Sequence, residues 1–311
     1  MLVSEFDYCL PPERIAQNPA EPRDSARLMH VQTSAPLSQM ISHHIARDLP
    51  ELLRSDDLLV MNDTRVLRAR LHGHKTTGGK VEALLLRERE RNLWEVLLRP
   101  SARLKEGSEI IFQSNEIEVH AVCDKRLDNT WHLRFKSTFN IRDLLKDLGE
   151  VPLPPYIHVK ADDPERYQTI YSKDHLQSSA SLDSAAAPTA GLHFTPQLLD
   201  AICACGIQCA HVTLGIGLGT FLPVKSETLE DHHMHFEEYN IPESTVRAIA
   251  AQKRAGKRVV AVGTTVARTL EAASANGELQ DGSGNTDIFI YPPYRFRCVD
   301  AMLTNFHLPK S

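Results

Sequence analysis

The chain has 311 residues, 42% of them hydrophobic, which is enough apolar surface for one large or two medium globular domains. Its formal net charge of -5 excludes a surface that is positive all over, although a local basic patch could still bind phosphates. No apolar run approaches the roughly 20 residues of a membrane span, and the opening MLVSEFDYCL carries acids where a signal peptide has basic residues. We therefore expect a cytoplasmic protein without membrane association.

The pattern of apolar residues and turn signals changes near residues 62 and 150, and these two changes divide the first half of the chain. Before the first, IARDLPELL resembles a helix and DDLLVMND is predicted to be a buried strand. Between them, turn signals such as TTGG and LKEGS separate short alternating segments: VLRARLHG, KVEALLL, LWEVLLR, SEIIF, IEVHAV and WHLRF. This spacing predicts a small antiparallel barrel or sandwich, followed by a short helix in NIRDLLKDLG.

After residue 150 the chain alternates helices and strands. TPQLLDAICACG, STVRAIAAQKRAG and VARTLEAASANG are predicted helices, and IQCAHVTL and KRVVAVGTT are predicted strands. This order predicts an α/β fold with a mainly parallel sheet. The barrel is then an insertion: residues 1–61 and 151–311 form a discontinuous α/β domain, and residues 62–150 form an inserted small antiparallel β-barrel domain.

Two basic stretches could contact phosphates despite the acidic total charge. RVLRARLHGHK at 65–75 interleaves basic and apolar residues, and YRFR at 294–297 adds an aromatic ring. A solvated surface is the alternative for both, and packing is the alternative for the ring. The residues concerned are Arg65, Arg68, Arg70, Lys75, Tyr294, Arg295 and Arg297.

The stretch VTLGIGLGTF places Gly215, Gly217 and Gly219 at alternate positions. It fits neither the dinucleotide fingerprint nor the P-loop, because the spacing and the Lys-Ser/Thr pair are missing. A period of two is a strand period, so the three glycines would leave one face of an extended segment bare. We expect a ligand or a neighbouring backbone to approach that face.

Two further stretches are candidates for ligand contact. GTTVARTLE opens a helix after a predicted strand, so the hydroxyls of Thr264 and Thr265 face the strand's end, and Arg268 follows one turn later; a plain helix cap is the alternative. AAAPTAGLHF is rich in small residues and turn formers. A ligand could therefore approach Gly191, with Thr189 and His193 as polar groups, although a structural histidine is the alternative.

The stretch EDHHMHFEE at 230–238 gathers three histidines and several acids. Zinc binding, acid/base catalysis and a solvated turn are all open for it. The helical H-E-x-x-H motif is absent, and histidine titrates near neutrality, so we favour acid/base chemistry.

Several stretches, in order from residue 6 to residue 311, resemble the S-adenosylmethionine:tRNA ribosyltransferase-isomerase family of queuosine biosynthesis. They are FDYCLPPERIAQNPAEPRDSARLM, NDTRVLRARLHGHKTTGGKVEALLL, PLPPYI, APTAGLHFT, DHHMHFE, VVAVGTT with RTLE, and IFIYPPYRFRCVDAMLTNFHLPKS. The resemblance implies a β-barrel inserted into an α/β domain. It also implies transfer and isomerisation of the ribosyl moiety of S-adenosylmethionine onto 7-aminomethyl-7-deazaguanine in tRNA, giving epoxyqueuosine-tRNA, adenine and methionine.

Roles for individual residues follow from the same resemblance. The D-H-x-M-H-x-E run assigns acid/base work to His232, His235 and Glu237, with His193 as a competitor. The residues expected to bind the substrates are Arg23, Asp24, Asn62, Arg65, Thr189, Gly191, Gly217, Gly219, Thr264, Thr265, Arg268, Asn305 and His307. Those expected to contact tRNA are Arg68, Arg70, Lys75, Tyr294, Arg295 and Arg297. S-adenosylmethionine serves as cosubstrate, no metal is implied, and we expect a monomer.

The chain also departs from the family pattern. Family sequences continue beyond LPKS, where this sequence stops, and Pro293 stands where Y-P-G is usual. Gly215 stands where the family has a histidine, in T-L-H-V-G-x-G-T-F. If that imidazole contacts substrate, the alternative function is a homologue that binds tRNA or nucleotide without turnover.

Overall fold

The structure, a computed structural model, describes residues 1–114, 117–154, 156–159, 163–173, 182, 184–217, 224 and 226–310. The chain begins with short 3₁₀ turns and a separate antiparallel pair, β1 (Arg27–Val31) and β2 (Ile41–Ile45). A short helix α1 (Leu49–Leu52) leads into β3 (Leu58–Asn62), every residue of which is buried. The predicted buried strand is therefore confirmed.

Six antiparallel strands then form a closed barrel. They are β4 (Arg70–Lys75), β5 (Lys80–Glu90), β6 (Leu93–Arg99), β7 (Glu109–Ser114), β8 (Ile117–Arg126) and β9 (Trp131–Lys136). Their order is β4, β5, β6, β9, β8, β7, and pairing of β4 with β7 closes the barrel. Alternate residues such as Val81, Ala83 and Leu85 fill the interior because the side chains of a strand repeat every second residue. The predicted small antiparallel barrel is confirmed.

Helix α2 (Ile141–Leu148) packs on the barrel and buries Ile141 and Leu145 in its core. The guanidinium of Arg142 lies 5.3 Å from the centre of the Trp94 ring, and its Nε donates to Glu88 Oε2 at 3.0 Å. Strand β10 (Gly149–Glu150) then pairs with β4. The helix and its end at Gly149 match the sequence prediction.

The remaining elements build a six-stranded sheet with helices. They are α3 (Pro196–Ala204), β11 (Gln208–Leu214), β12 (Glu237–Ile241), α4 (Glu243–Arg254), β13 (Val259–Val262), α5 (Thr264–Ala273), β14 (Gly282–Thr286) and β15 (Ala301–Leu303). The order is β14, β12, β11, β3, β13, β15. Helix α3 begins at the predicted cap, where Leu198 N donates to Thr195 Oγ1 at 3.1 Å.

The sheet is mixed rather than mainly parallel. Strands β11, β3, β13 and β15 run parallel to one another, whereas β12 pairs antiparallel with both β11 and β14. The sequence did not indicate the reversed strand β12 or its partner β14, because β12 starts inside the histidine-rich stretch and GSGNT in β14 has no apolar alternation. The α/β class with a barrel is confirmed, and the strand directions are corrected.

Both faces of the sheet carry a core, and neighbouring residues of β3 point into different ones. Leu58 and Val60 pack with the face that carries α4 and α5, while Leu59 and Met61 pack with the face that carries α3. A sheet buried on both sides explains why β3 is apolar without alternation. No helix among the described residues is long and apolar enough to cross a membrane.

Candidate functional site

The carboxyl ends of β3, β11, β13 and β15 lie at one edge of the sheet, which is where α/β folds usually place ligands. Because β12 runs in the opposite direction, its first residue, Glu237, joins the same edge. Backbone bonds link the segments that leave the strands: Gly215 N donates to Glu238 O at 2.9 Å, and Gly263 N donates to Leu303 O at 2.8 Å. This strand edge is the candidate site.

Glu237 is buried at the strand edge and already has two donors. Arg268 Nη1 donates to its Oε2, and Gly217 N donates to its Oε1 at 3.2 Å. Arg268 Nε also donates to the carbonyl of Ile288 at 3.1 Å. The structure therefore brings together a predicted acid/base residue and a predicted cosubstrate residue as an ion pair.

The two predicted catalytic histidines precede Glu237 in an irregular segment. His232 is half-buried and meets the Phe289 ring edge to face, with ring centres 5.1 Å apart. Burial lowers the pKa of His232, and the neighbouring His233 and His235 act in the same direction. A lowered pKa keeps the imidazole neutral near pH 7 and able to accept a proton. His235 is exposed to solvent.

His193 lies at the same edge, beside the chain that leaves β15. Its Nε2 is 3.0 Å from Asn305 Oδ1, so two predicted site residues, 112 positions apart in sequence, meet. His193 ends the 3₁₀ turn that begins at Thr189. The carbonyl of His307, further along the same segment, accepts a hydrogen bond from the Tyr8 hydroxyl.

The space beside Gly191 has an occupant that the sequence did not indicate. A Cβ added at Gly191 would lie 2.1 Å from the Tyr171 hydroxyl and 2.9 Å from Thr169 Cγ2. Glycine is therefore required here by packing against Tyr171. The turn borders the candidate site, and a substrate contact at Gly191 stays a prediction.

Helix α5 begins at the edge, immediately after β13. Its cap, Gly263, has φ = +94°, a left-handed conformation that favours glycine, and it provides no side-chain cap. A Cβ added at Gly263 would lie 3.4 Å from Thr265 Oγ1 and 3.9 Å from the Cβ of Ala190, so the small-residue turn packs close to the helix start. Thr264 and Thr265 are the first two residues of the helix, so the expected cap at one of these threonines is wrong.

The alternate glycines follow β11 rather than lying within it. Gly215 extends the pairing with β12 by one backbone bond, and Gly217 donates its N–H to Glu237. A Cβ on Gly217 would have no atom of the described residues within 4 Å. Gly219 lies outside the described residues.

The residues of the R-D motif fasten the N-terminal segment to the rest of the fold. Arg23 donates to the carbonyls of Gln168 at 2.7 Å and Arg166 at 2.9 Å. Asp24 accepts from Arg47 Nη2 at 2.9 Å, and hydrogen bonds from Arg47 lower the pKa of this buried carboxyl. Both side chains thus have partners within the chain.

The N-D-T-R motif is divided between the sheet and the loops. Asn62 is buried, donates from Nδ2 to Leu214 O at 3.2 Å and accepts from Leu214 N at 3.0 Å, so its amide links β3 to β11. Arg65 Nη2 donates to Glu165 Oε2 at 3.0 Å. A substrate role for either residue stays a prediction.

The predicted tRNA-contacting residues fall into two separate groups. Arg68 lies between β3 and the barrel and donates to the Lys146 carbonyl at 2.7 Å, while Arg70 and Lys75 bound strand β4. Arg295 is exposed on the segment that follows β14. A phosphate-binding role for these residues stays a prediction.

Tyr294 and Arg297 are held by contacts with helix α5. The Tyr294 hydroxyl donates to the buried Glu271 Oε2 at 3.0 Å, and burial with Glu271 nearby raises the pKa of Tyr294 to about 12. Arg297 Nη1 donates to the Ser274 carbonyl at 3.1 Å. For Tyr294, packing was the alternative to stacking, and its contacts favour packing.

The sequence argument missed a charged group beside the strand edge. Asp63 is buried, accepts from Thr213 Oγ1 at 2.7 Å and forms an ion pair with Lys173 at 2.9 Å. Its position inside N-D-T-R was the available signal. Across the described residues, no three His, Cys, Asp or Glu side chains are grouped so that they could hold a metal ion.

An α/β fold with a barrel and a polar strand edge defines the class of protein, and comparison defines the family. The profile of the queuosine biosynthesis protein family matches residues 3–311, and the chain belongs to this family. The S-adenosylmethionine:tRNA ribosyltransferase-isomerase of Synechococcus elongatus is 48% identical over 98% of this chain and 84% of its own length. The enzyme of the same name from Thermotoga maritima is 46% identical over 100% of this chain and 88% of its own length.

A solved structure supports the same family. The crystal structure of S-adenosylmethionine tRNA ribosyltransferase from Thermotoga maritima superposes with a TM-score of 0.51 and 36% identity. The match covers 99% of this chain and 86% of that chain. The likeness therefore extends over both the barrel and the α/β sheet.

Proposed function

We propose that this chain is an S-adenosylmethionine-dependent tRNA ribosyltransferase-isomerase of queuosine biosynthesis. It transfers and isomerises the ribosyl moiety of S-adenosylmethionine to the aminomethyl group of 7-aminomethyl-7-deazaguanine in tRNA. The products are epoxyqueuosine-tRNA, adenine and methionine. The observation that carries the proposal is the family match over residues 3–311, together with relatives of that activity at 46–48% identity.

The first chemical demand is removal of a proton next to the sulfonium of the cosubstrate. A sulfonium cation acidifies the adjacent C5′ hydrogens, so a neutral imidazole is a sufficient base. His232 and His235 are the candidates, and the lowered pKa of His232 supports its neutral form. His193 is the competitor, and its contact with Asn305 places it near the segment that leaves β15.

The cosubstrate would lie along the strand edge, beside the start of α5 and the 3₁₀ turn at 189–193. Thr264, Thr265 and Arg268 contribute donors from α5, and Gly217 borders the site from the segment that follows β11. For tRNA we propose that Arg68, Arg70, Lys75 and Arg295 contact the phosphates. The remaining substrate-binding proposals keep the predicted residues Arg23, Asp24, Asn62, Arg65, Thr189, Gly191, Gly219, Asn305 and His307.

We also propose a monomeric, cytoplasmic protein in which residues 62–150 form the inserted domain. Strand β3 ends at Asn62, and the first barrel strand begins at Arg70. The segment between them therefore connects the two domains. The ion pair between Arg87 of the barrel and Glu238 of the sheet is a second link between them.

Release of adenine from S-adenosylmethionine, measured in the presence of tRNA that carries the aminomethyl base, tests this function. Turnover that requires both substrates supports it. Gly215 favours the second candidate, a protein that binds without turnover, because the family has a histidine there. Tight binding of both substrates with no adenine released would establish that alternative and refute the first.

A further inference from the structure

Arg268 is a buried guanidinium whose hydrogen bonds are only partly satisfied. Its Nη1 donates to Glu237 and its Nε donates to Ile288 O, but its buried Nη2 has no hydrogen-bond partner in the described part of the chain. Leaving a buried charged donor without an acceptor is costly, so native structures rarely do it without a reason. This buried nitrogen without an acceptor is the strongest unexplained feature of the strand edge.

A second unsatisfied donor lies one helical turn away. Thr265 Oγ1 is buried and also lacks a partner within the described residues. Residues three apart on a helix lie on the same face, so Thr265 and Arg268 project from the same side of α5. Two hydrogen-bonding groups on one face of the helix, next to the strand edge, form a site for an oxygen atom of a ligand.

The contacts of Glu237 indicate that it serves this site rather than acting as the base. Its two oxygens accept from Arg268 Nη1 and from Gly217 N, and the side chain is 4% exposed. Both oxygens of the buried carboxylate are therefore held by donors of the chain itself. The same pair joins four segments: the start of β12, the backbone after β11, helix α5 and, through Ile288, the chain after β14.

We propose that Glu237 is a positioning residue that fixes the Arg268 guanidinium, and that Arg268 Nη2, with Thr265 Oγ1, binds an oxygen of the ribosyl donor. This inference rests on the proposed function for the identity of the ligand. It replaces the sequence-based assignment of Glu237 to acid/base work and leaves that work to the imidazoles. The oxygen belongs either to the methionyl carboxylate or to a ribose hydroxyl, both of which accept hydrogen bonds.

Calorimetric binding of S-adenosylhomocysteine to purified variants tests the donor role without requiring turnover. Arg268→Gln and Thr265→Val should each weaken binding, by roughly 10- to 100-fold for the arginine. Arg268→Lys keeps the positive charge but loses the planar guanidinium with its several donors, so it should recover only part of the lost affinity. Wild-type affinity in folded Arg268→Lys and Thr265→Val proteins would overturn the proposal.

A second ligand separates the two possible oxygens. 5′-Methylthioadenosine has the ribose hydroxyls but lacks the carboxylate. If Arg268 binds the carboxylate, Arg268→Lys will weaken S-adenosylhomocysteine binding and leave methylthioadenosine binding unchanged. If it binds a ribose hydroxyl, both ligands will lose affinity by the same factor. Unchanged affinity for both ligands would refute a contact with the donor.

Glu237→Gln separates positioning from base catalysis. A positioning role predicts a raised KM for S-adenosylmethionine, retained turnover at saturation, and an acid limb of the pH–rate profile at the wild-type position. Loss of turnover at every pH with unchanged ligand affinity would identify Glu237 as the base and overturn the proposal. Because ligand affinity is measured separately, an inactive wild-type chain would refute the proposed function without deciding this inference.

The barrel provides a matched control. Glu88 forms an ion pair with Arg142 in which the glutamate side chain is 16% exposed, and both residues belong to the barrel and its helix. Glu88→Gln removes the same kind of interaction far along the chain from the strand edge. It should leave the affinity for S-adenosylhomocysteine unchanged, whereas Glu237→Gln should weaken it. Equal loss of affinity in both variants would show that general destabilisation, not positioning, is the cause.

Discussion

Glu271 fastens the segment that follows β14 to helix α5, and replacing it with glutamine should destabilise the α/β part of the fold. Its side chain is completely buried and accepts four hydrogen bonds. The donors are the Tyr294 hydroxyl at 3.0 Å, Arg297 N at 2.9 Å, Cys298 N at 2.9 Å and Val299 N at 3.0 Å. Three backbone donors of this segment therefore depend on one carboxylate.

The expected loss of stability in Glu271→Gln follows from the number of acceptor sites that remain. Each carboxylate oxygen accepts two bonds, and glutamine replaces one oxygen with an amino group that cannot accept. Two donors then lose their acceptor, and a hydrogen bond to a charged group contributes about 1.5–3 kcal/mol. We therefore expect the free energy of unfolding to fall by about 3 kcal/mol or more in Glu271→Gln.

Urea unfolding followed by circular dichroism measures this loss. Both tryptophans, Trp94 and Trp131, lie in the barrel, so fluorescence on the same samples reports the barrel separately. Tyr294→Phe removes one donor to the charged group and leaves three, so it should cost about 1.5–3 kcal/mol, roughly half of the loss in Glu271→Gln. A loss below about 1 kcal/mol in Glu271→Gln would refute the idea that the carboxylate holds this segment.

Four further predictions concern activity. His235→Ala should abolish adenine release while circular dichroism stays unchanged, and near-normal turnover would remove His235 from the catalytic role. Because burial lowers the pKa of His232 below the ordinary 6.5, a base at this position should keep the acid limb of the pH–rate profile below pH 6.5, and a limb above 6.5 would exclude it. The affinity for tRNA should fall steeply with added salt, since contacts to phosphates release counterions, and a flat response would argue against an extended basic footprint. Gly215→His restores the residue usual in the family and should raise turnover if that imidazole contacts substrate; unchanged or lower turnover would show that this position does not limit the reaction.

The lowered pKa of His232 should also make the folded chain less stable as the pH falls. His232 binds a proton less readily in the folded chain than in the unfolded chain, so the unfolded state takes up more protons as the pH falls. Stability should therefore decrease as the pH falls through the ordinary value of 6.5 towards the lower folded pKa. The change is confined to that interval, and the stability lost across it is not regained at lower pH, because both states are then protonated at this residue.

Local sequence patterns were sufficient to predict the helices and strands that are buried on one side, because such burial sets the spacing of their apolar residues. The barrel strands alternate because only their inner face is apolar, and α3 shows its cap in Thr195 and Pro196. These signals are contained within ten or so residues of sequence. They could be identified without knowing which elements lie next to one another.

Partners that are distant in sequence could not be identified in this way. The pairing of Glu237 with Arg268 joins two motifs that the sequence assigned to different tasks. Likewise, the Tyr171 hydroxyl occupies the space beside Gly191 that sequence reasoning gave to a ligand. Both contacts depend on how loops cross the strand edge, and the spacing of apolar residues in the sequence does not indicate those paths.

The sequence by itself determined the α/β class, the antiparallel barrel and the family, because hydrophobic period and motif order are properties of the chain alone. The tertiary structure decided the direction of β12 and β14 and the partners of the charged residues at the strand edge. Burial makes an unpaired charge costly, so each buried carboxylate and guanidinium requires a specific neighbour. Only folding brings those neighbours together, and at this site it joined Glu237 to Arg268 and left one nitrogen of Arg268 without a partner in the described chain.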